Sequence, residues 1–164
     1  MTVPRADLLQ RLRASRAAFV SHADAPPADH DKRYGVGKWS VREILAHLAD
    51  CEVAYAWRFL RAAAEPGSNI EVFDENAWAK ELDYPNRPVA VSRGLFLGLR
   101  DALIGFVETL PEAKLLSCAV HPERGSLPAW QWASLTANHA RHHLEQAACA
   151  RSGRPWVSTG PVTV

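Results

Sequence analysis

The sequence predicts an all-α protein built as a four-helix bundle, and three observations carry that prediction. Four long segments place apolar residues at helical spacing, and segments rich in proline and glycine separate them. No segment shows the strict alternation of a strand. The 164 residues are 48% hydrophobic, so the chain can bury a substantial core. We expect one domain over residues 1–164, with its core in roughly 5–150.

The spacing of apolar residues predicts the first two helices, and a capping motif marks where the second begins. The first is predicted over residues 5–22, with an interruption at Ser15 and Arg16. The second begins after Ser40, which forms an S-x-x-E capping box with Glu43. Its predicted buried stripe consists of Val41, Ile44, Leu45, Leu48, Tyr55 and Phe59. Proline and glycine at 66–67 end it.

The rest of the bundle follows from the same signals. A short extra helix is predicted over 73–82, a third long helix over 89–110, and a fourth from Ser126 to about 150. The segment 117–126 is expected to be a loop or a short extended piece, and the tail from Pro155 to be irregular. The predicted core face of the third helix consists of Leu95, Leu99, Leu103, Phe106 and Leu110.

Composition and charge narrow the functional class. The formal net charge is +1 and no basic stripe is present, so direct nucleic-acid binding is not expected. No run approaches the roughly 18 apolar residues that cross a membrane, and the N-terminus lacks a signal-peptide core, so a cytoplasmic protein is expected. Cys51, Cys118 and Cys149 form no C-x-x-C motif and are interpreted as small hydrophobic residues.

The stretch HARHH at 139–143 holds the candidate chemistry. On a helical wheel His139 and His143 are stacked one turn apart and point inward, whereas His142 lies near the boundary beside Gln146. Two imidazoles at this spacing can chelate a divalent transition metal, and His47 is the best candidate for a third ligand. A hydrogen-bonded core histidine is the competing interpretation, and spacing alone leaves both open. The opposite, solvated face is predicted from Ser134, Asn138, Arg141 and Glu145.

Three motifs, in this order and spacing, resemble the DinB-like superfamily of bacterial four-helix-bundle proteins. They are KWSVREILAHLADCE (38–52), FDENAWA (73–79) and HPERGSLPAWQWASLTANHARHHLEQ (121–146). The resemblance implies an up-down-down-up bundle that is often a homodimer. It also implies one divalent metal, zinc or nickel first, with manganese, iron or cobalt possible. The ligands would be a histidine triad of His47, His139 and His143.

Further residues are assigned around the triad with roles left open. Asp50 and Glu52 could orient a ligand imidazole or bond a neighbouring helix, and the structural role is favoured; Glu43 is interpreted as a capping residue. The candidates for the surroundings of the metal, or for a pocket wall, are Asp50, His142, Gln146, Trp39 and Trp132.

The resemblance suggests three functions. The first is a metal-dependent S-transferase that joins a low-molecular-weight thiol, such as bacillithiol or mycothiol, to an electrophile. The second is a metal-dependent hydrolase, and the third a non-catalytic metal-binding protein of the stress response. The reacting group would be a thiolate or water bound to the metal. The sequence does not specify the substrate.

Overall fold

A computed structural model describes residues 2–157 and shows, within them, six α-helices and one small hairpin. Their bounds are α1 Arg5–Ala23, α2 Val41–Ala64, α3 Glu75–Glu81, α4 Val89–Thr109, α5 Glu112–Leu116, β1 Cys118–His121, β2 Gly125–Pro128 and α6 Ala129–Arg151. The all-α bundle is confirmed. The helix α5 was not predicted, and an antiparallel β1–β2 pair occupies the segment expected as a loop or extended piece. Of the predicted irregular tail, residues 158–164 lie outside the described part.

The four long helices pack as a ring in which α1 and α2 are diagonal to each other, each contacting α4 and α6. Glu52 of α2 contacts Arg100 of α4, and further along both helices Phe59 contacts Phe106, so α2 and α4 run in the same direction. Side-chain contacts between α1 and α6 show that these two also run together, opposite to the first pair. The order is therefore up-down-down-up, as expected.

This topology requires a long return connection between α2 and α4. Since parallel neighbours begin at the same end of the bundle, residues 65–88 must travel back along its length. They carry α3 on the way, and Arg87 near their end binds Asp50 of α2 at 2.6 Å. The connection therefore places α3 against α2.

The core face of α4 differs from the predicted one. Leu95 and Phe106, both expected inside, are each 37% exposed, whereas Phe96, Arg100 and Val107 are fully buried. Phe96 stacks on a phenylalanine of α1 at a ring-centroid distance of 3.9 Å. Leu103 of the predicted face is buried as expected, and the buried face also includes Arg100, which binds a buried carboxylate on α2.

One polar network joins all four long helices at their centre. Glu52 accepts two hydrogen bonds of 2.7 Å from the guanidinium of Arg100 and one of 2.7 Å from the hydroxyl of Thr136. Arg100 also donates to Ser15 of α1. The polar interruption noted in the first helix is therefore part of the core, and Glu52 has the structural role favoured above.

The predicted solvated face of α6 is wrong at its N-terminal half. Ser134 is 3% exposed because α1 covers it, and Arg11 donates to its hydroxyl at 3.0 Å. Arg141 and Glu145, further along, are exposed and paired with each other. Among the helices of the described chain, none combines the length and apolar character of a membrane span.

Candidate metal centre

The three predicted histidines come together between α2 and α6. His47 lies in the seventh position of α2, whose start is fixed by the predicted capping box: Ser40 accepts from the Glu43 amide, and Glu43 accepts from that of Ser40. The ring centroids of His47 and His139 are 5.0 Å apart, and that of His143 is 4.6 Å from each. The antiparallel packing of α2 on α6 thus brings together residues that are 92 positions apart.

The imidazoles are held neutral by their surroundings. His47 is 1% and His139 8% exposed. Burial, with the nearby His143, lowers the pKa of His47 to about 3 and that of His139 well below its usual range. Burial also lowers the pKa of His143 to about 4, although the hydrogen bond to Gln146 opposes this. All three rings therefore present unprotonated nitrogens near neutral pH.

Two of the predicted neighbours, Gln146 and Trp39, contact the triad. The Gln146 side-chain oxygen lies 2.8 Å from Nδ1 of His143, and an amide oxygen can only accept. The proton of His143 is therefore on Nδ1, and its Nε2 lone pair is free. Trp39 packs against the site, its ring centroid 4.7 Å from that of His47 and 6.0 Å from that of His143.

The other predicted neighbours lie elsewhere. Asp50 binds Arg87 of the return connection rather than a histidine. His142 is half-buried and turns aside, with its ring centroid 4.9 Å from that of Trp156. Trp132 is buried, with its ring centroid 5.7 Å from that of His121 and away from the triad.

Two residues that the sequence analysis did not assign to the site lie against the triad. One possible ligand atom each from His47, Cys51, Glu75 and His139 lies within 4.8 Å of the others. The Cys51 sulfur is 3.6 and 3.7 Å from the two ring nitrogens of His47, so it lies along neither nitrogen's lone pair. Burial, then the negative charge of Glu75, raises the pKa of the Cys51 thiol.

Glu75 arrives at the site on the short helix α3. The residue as a whole is exposed, yet partial removal of its carboxyl from water raises its pKa. The sequence marks where α3 begins, since Asp74 caps it by accepting from the Asn76 and Ala77 amides. The FDENAWA motif therefore contained the signal for the helix, but the position of that helix depends on the return connection.

A small cavity of about 230 Å³ opens beside the triad. It is lined by Tyr34, Gly37, Lys38, Trp39, His143 and Gln146. Trp39 and Gln146, both predicted from the sequence, thus lie between the histidines and an opening to solvent.

The fold and parts of the sequence match known proteins. The sequence profile of the DinB superfamily matches residues 9–147. A protein of Oceanobacillus iheyensis named "Putative metal-dependent hydrolase OB0782" is 29% identical over 126 residues, 77% of this chain and 73% of that protein.

Two solved structures are similar in fold. One is YfiT from Bacillus subtilis, described as "a probable metal-dependent hydrolase with an unusual four-helix bundle topology". Its TM-score is 0.80 and its identity 23%, over 92% of this chain and 88% of that chain. The other, a mycothiol-dependent maleylpyruvate isomerase, has a TM-score of 0.71 and 14% identity, over 88% of this chain and 60% of that one.

Proposed function

The chain belongs to the DinB superfamily, and from that premise we propose that it is a metal-dependent hydrolase of a small molecule. In this proposal His47, His139 and His143 hold one divalent transition metal, and zinc and nickel are the leading candidates. The observation that carries the proposal is the distance of 3.2 Å between Nε2 of His47 and Nε2 of His139. Two nitrogens each about 2.0–2.1 Å from one tetrahedral ion lie about 3.3 Å apart.

The donor set fits such an ion better than it fits a hydrogen-bonded core. A direct hydrogen bond between the two Nε2 atoms would use only one proton and would leave the free Nε2 of His143 without a partner. Three neutral imidazoles leave the full charge of a divalent ion uncompensated. When bound, such an ion would lower the pKa of a water or thiol that it contacts.

Glu75 supplies the base that hydrolysis needs. Its carboxylate lies within 4.8 Å of donor atoms of His47 and His139, where a water bound between them would be in reach. Its raised pKa brings it closer to the working pH, which favours proton transfer. Glu75 would take the proton of the attacking water, and the neighbouring Cys51 thiol, whose pKa is raised, would remain protonated.

The test separates metal binding from catalysis. Purified chain loaded with zinc or nickel is assayed against a panel of small esters, amides and lactones, together with Glu75→Gln and His139→Ala. We expect Glu75→Gln to keep stoichiometric metal and lose about 10²–10⁴-fold in rate, the usual contribution of a general base. His139→Ala should lose both.

A wild-type chain without stoichiometric metal would overturn the proposal, as would a Glu75→Gln variant with the full rate. Stoichiometric metal without turnover of any panel member would instead favour the non-catalytic metal-binding alternative.

A thiol S-transferase is the second candidate, and the cavity of about 230 Å³ beside His143 favours it. A reaction between an electrophile and a low-molecular-weight thiol needs room for two organic substrates, and this cavity reaches His143 without Glu75 among its lining residues. The two candidates differ in their products. A transferase consumes the free thiol and forms a thioether, whereas a hydrolase leaves the thiol untouched.

A further inference from the structure

A polar cavity of about 130 Å³ adjoins the proposed metal centre on the side of Glu75. It lies between α2, the return connection and the β1–β2 turn. The residues that matter for its chemistry are Tyr55, Arg58, Glu75, His121, Glu123 and Arg124. The metal proposal makes no use of the two arginines or of His121.

Arg58 is the unusual residue of this cavity. It is 6% exposed, and within residues 2–157 no carboxylate oxygen lies within 4.0 Å of its guanidinium nitrogens. Its hydrogen bond runs from Nη2 to the carbonyl oxygen of Glu71 at 3.2 Å. The guanidinium carbon is 5.3–5.5 Å from the ring centroids of Tyr55, Phe73 and Trp132. The aromatic rings hold the guanidinium in place and leave some of its N–H donors without a partner. A buried cation of this kind is stabilised when an anion binds to it.

Two further donors converge on the same space. Arg124, on the turn of the hairpin, is exposed and is likewise without a carboxylate within 4.0 Å among the described residues. His121 is 3% exposed, and its Nδ1 accepts the Glu123 amide at 3.2 Å, so its proton is on Nε2. Burial, then the charges of Arg58 and Arg124, lowers the pKa of His121.

Two carboxylates, those of Glu75 and Glu123, face the same cavity. Glu75 lies near the histidines and also near enough to Arg58 and Arg124 for their charges to oppose the rise in its pKa, and Glu123 lines the same cavity. Since neither carboxylate forms an ion pair with Arg58 or Arg124 within the described residues, both guanidinium groups keep donors for a bound anion. A planar carboxylate also matches the paired donors of a guanidinium.

Two residues that line the cavity lie against the metal centre. Glu75 lines the cavity and contributes to the cluster around His47, and the Tyr55 ring centroid is 5.8 Å from that of His139. A molecule anchored by its carboxylate in the cavity would therefore extend towards the triad. We propose that Arg58 and Arg124 form a binding subsite for the carboxylate of the substrate that reacts at the metal centre. This inference rests on the proposed function, because it names the substrate class of that reaction.

The test measures carboxylate binding directly, without turnover. Succinate is titrated into the metal-free and the zinc-loaded full chain at constant ionic strength, and the dissociation constant is followed by NMR through the indole N–H of Trp132. The variants are Arg124→Gln and Arg58→Lys, and the matched control is Arg141→Gln, an exposed arginine of α6 that does not line the cavity. Arg124→Gln serves if Arg58→Lys does not fold, since Arg124 is on the surface.

We expect each subsite variant to weaken succinate binding at least tenfold in both forms of the protein, and Arg141→Gln to stay within twofold of wild type. Equal dissociation constants in all four proteins would overturn the subsite. Tighter binding of inorganic phosphate than of succinate would overturn the carboxylate assignment. Since the metal-free protein is also titrated, a failed metal proposal with an intact succinate site is distinguishable from a failed subsite.

Discussion

Gln146 should control how tightly the proposed metal is held, although we do not expect it to contact the ion. It is 6% exposed, and its side-chain oxygen accepts the Nδ1 proton of His143 at 2.8 Å. The change Gln146→Met keeps a side chain of similar length and removes the acceptor. The Nδ1–H of His143 then has no partner, so the ring is free to rotate or to exchange tautomers.

Two independent estimates give the size of the effect. A buried donor left without a partner costs about 1–3 kcal/mol. Loss of the group that orients a metal-binding histidine costs about 10–100-fold in affinity, which is about 1.4–2.7 kcal/mol. The ranges overlap, so the dissociation constant for zinc should rise between about tenfold and hundredfold in Gln146→Met.

The assay is competition for zinc against a chromophoric chelator, with wild type, Gln146→Met and Gln146→Glu. The glutamate variant keeps an acceptor oxygen at the same position. Its dissociation constant for zinc should therefore stay within a few-fold of the wild-type value. This role of Gln146 is refuted if Gln146→Met binds zinc like wild type. It is also refuted if Gln146→Glu loses as much affinity as Gln146→Met.

Three further predictions concern the stability of the fold. Arg100→Met should lower the free energy of unfolding by about 3–5 kcal/mol, because it leaves the Glu52 charge buried and unpaired. Adding Glu52→Gln should recover much of this loss. Urea titrations in which the double variant shows no recovery would contradict a coupling between Arg100 and Glu52. The metal-free chain should lose stability as the pH falls from about 6.5 towards 4. The pKa of His143 is lowered to about 4 and that of His47 to about 3, so the unfolded chain binds more protons in that range; a constant denaturation midpoint between pH 7 and pH 4.5 would contradict this. Ser40→Ala should lower the free energy of unfolding by about 1 kcal/mol, because it removes the N-cap of α2. Thermal unfolding measures this, and an unchanged stability would contradict it.

The parts of the fold that were predicted correctly depend on local signals. The spacing of apolar residues and the Ser40 capping box place α2, and the wheel of α6 turns His139 and His143 inward without any knowledge of the partner helix. A direction inside one helix follows from the sequence of that helix alone. The two halves of the histidine cluster could therefore be predicted separately, and only their meeting required the fold.

The errors arise where a residue's environment is provided by a distant segment. Arg100 is buried because Glu52 on another helix binds it, and no property of α4 alone indicates this. Ser134 is covered by α1 in the same way. Glu75 reaches the site because residues 65–88 must return along the bundle, which is a consequence of its topology. Each requires knowledge of which helices are neighbours.

Three imidazoles, and no thiolate, should hold the metal. X-ray absorption at the zinc edge of the stoichiometrically loaded chain measures this most directly. We expect three imidazole ligands at about 2.0–2.1 Å, recognised by the outer-shell scattering of their rings, no sulfur at about 2.3 Å, and one imidazole fewer in His143→Ala. A sulfur at about 2.3 Å would show that Cys51 is a ligand, and an unchanged number of imidazoles in His143→Ala would exclude that histidine; either result would refute a metal site of three histidines.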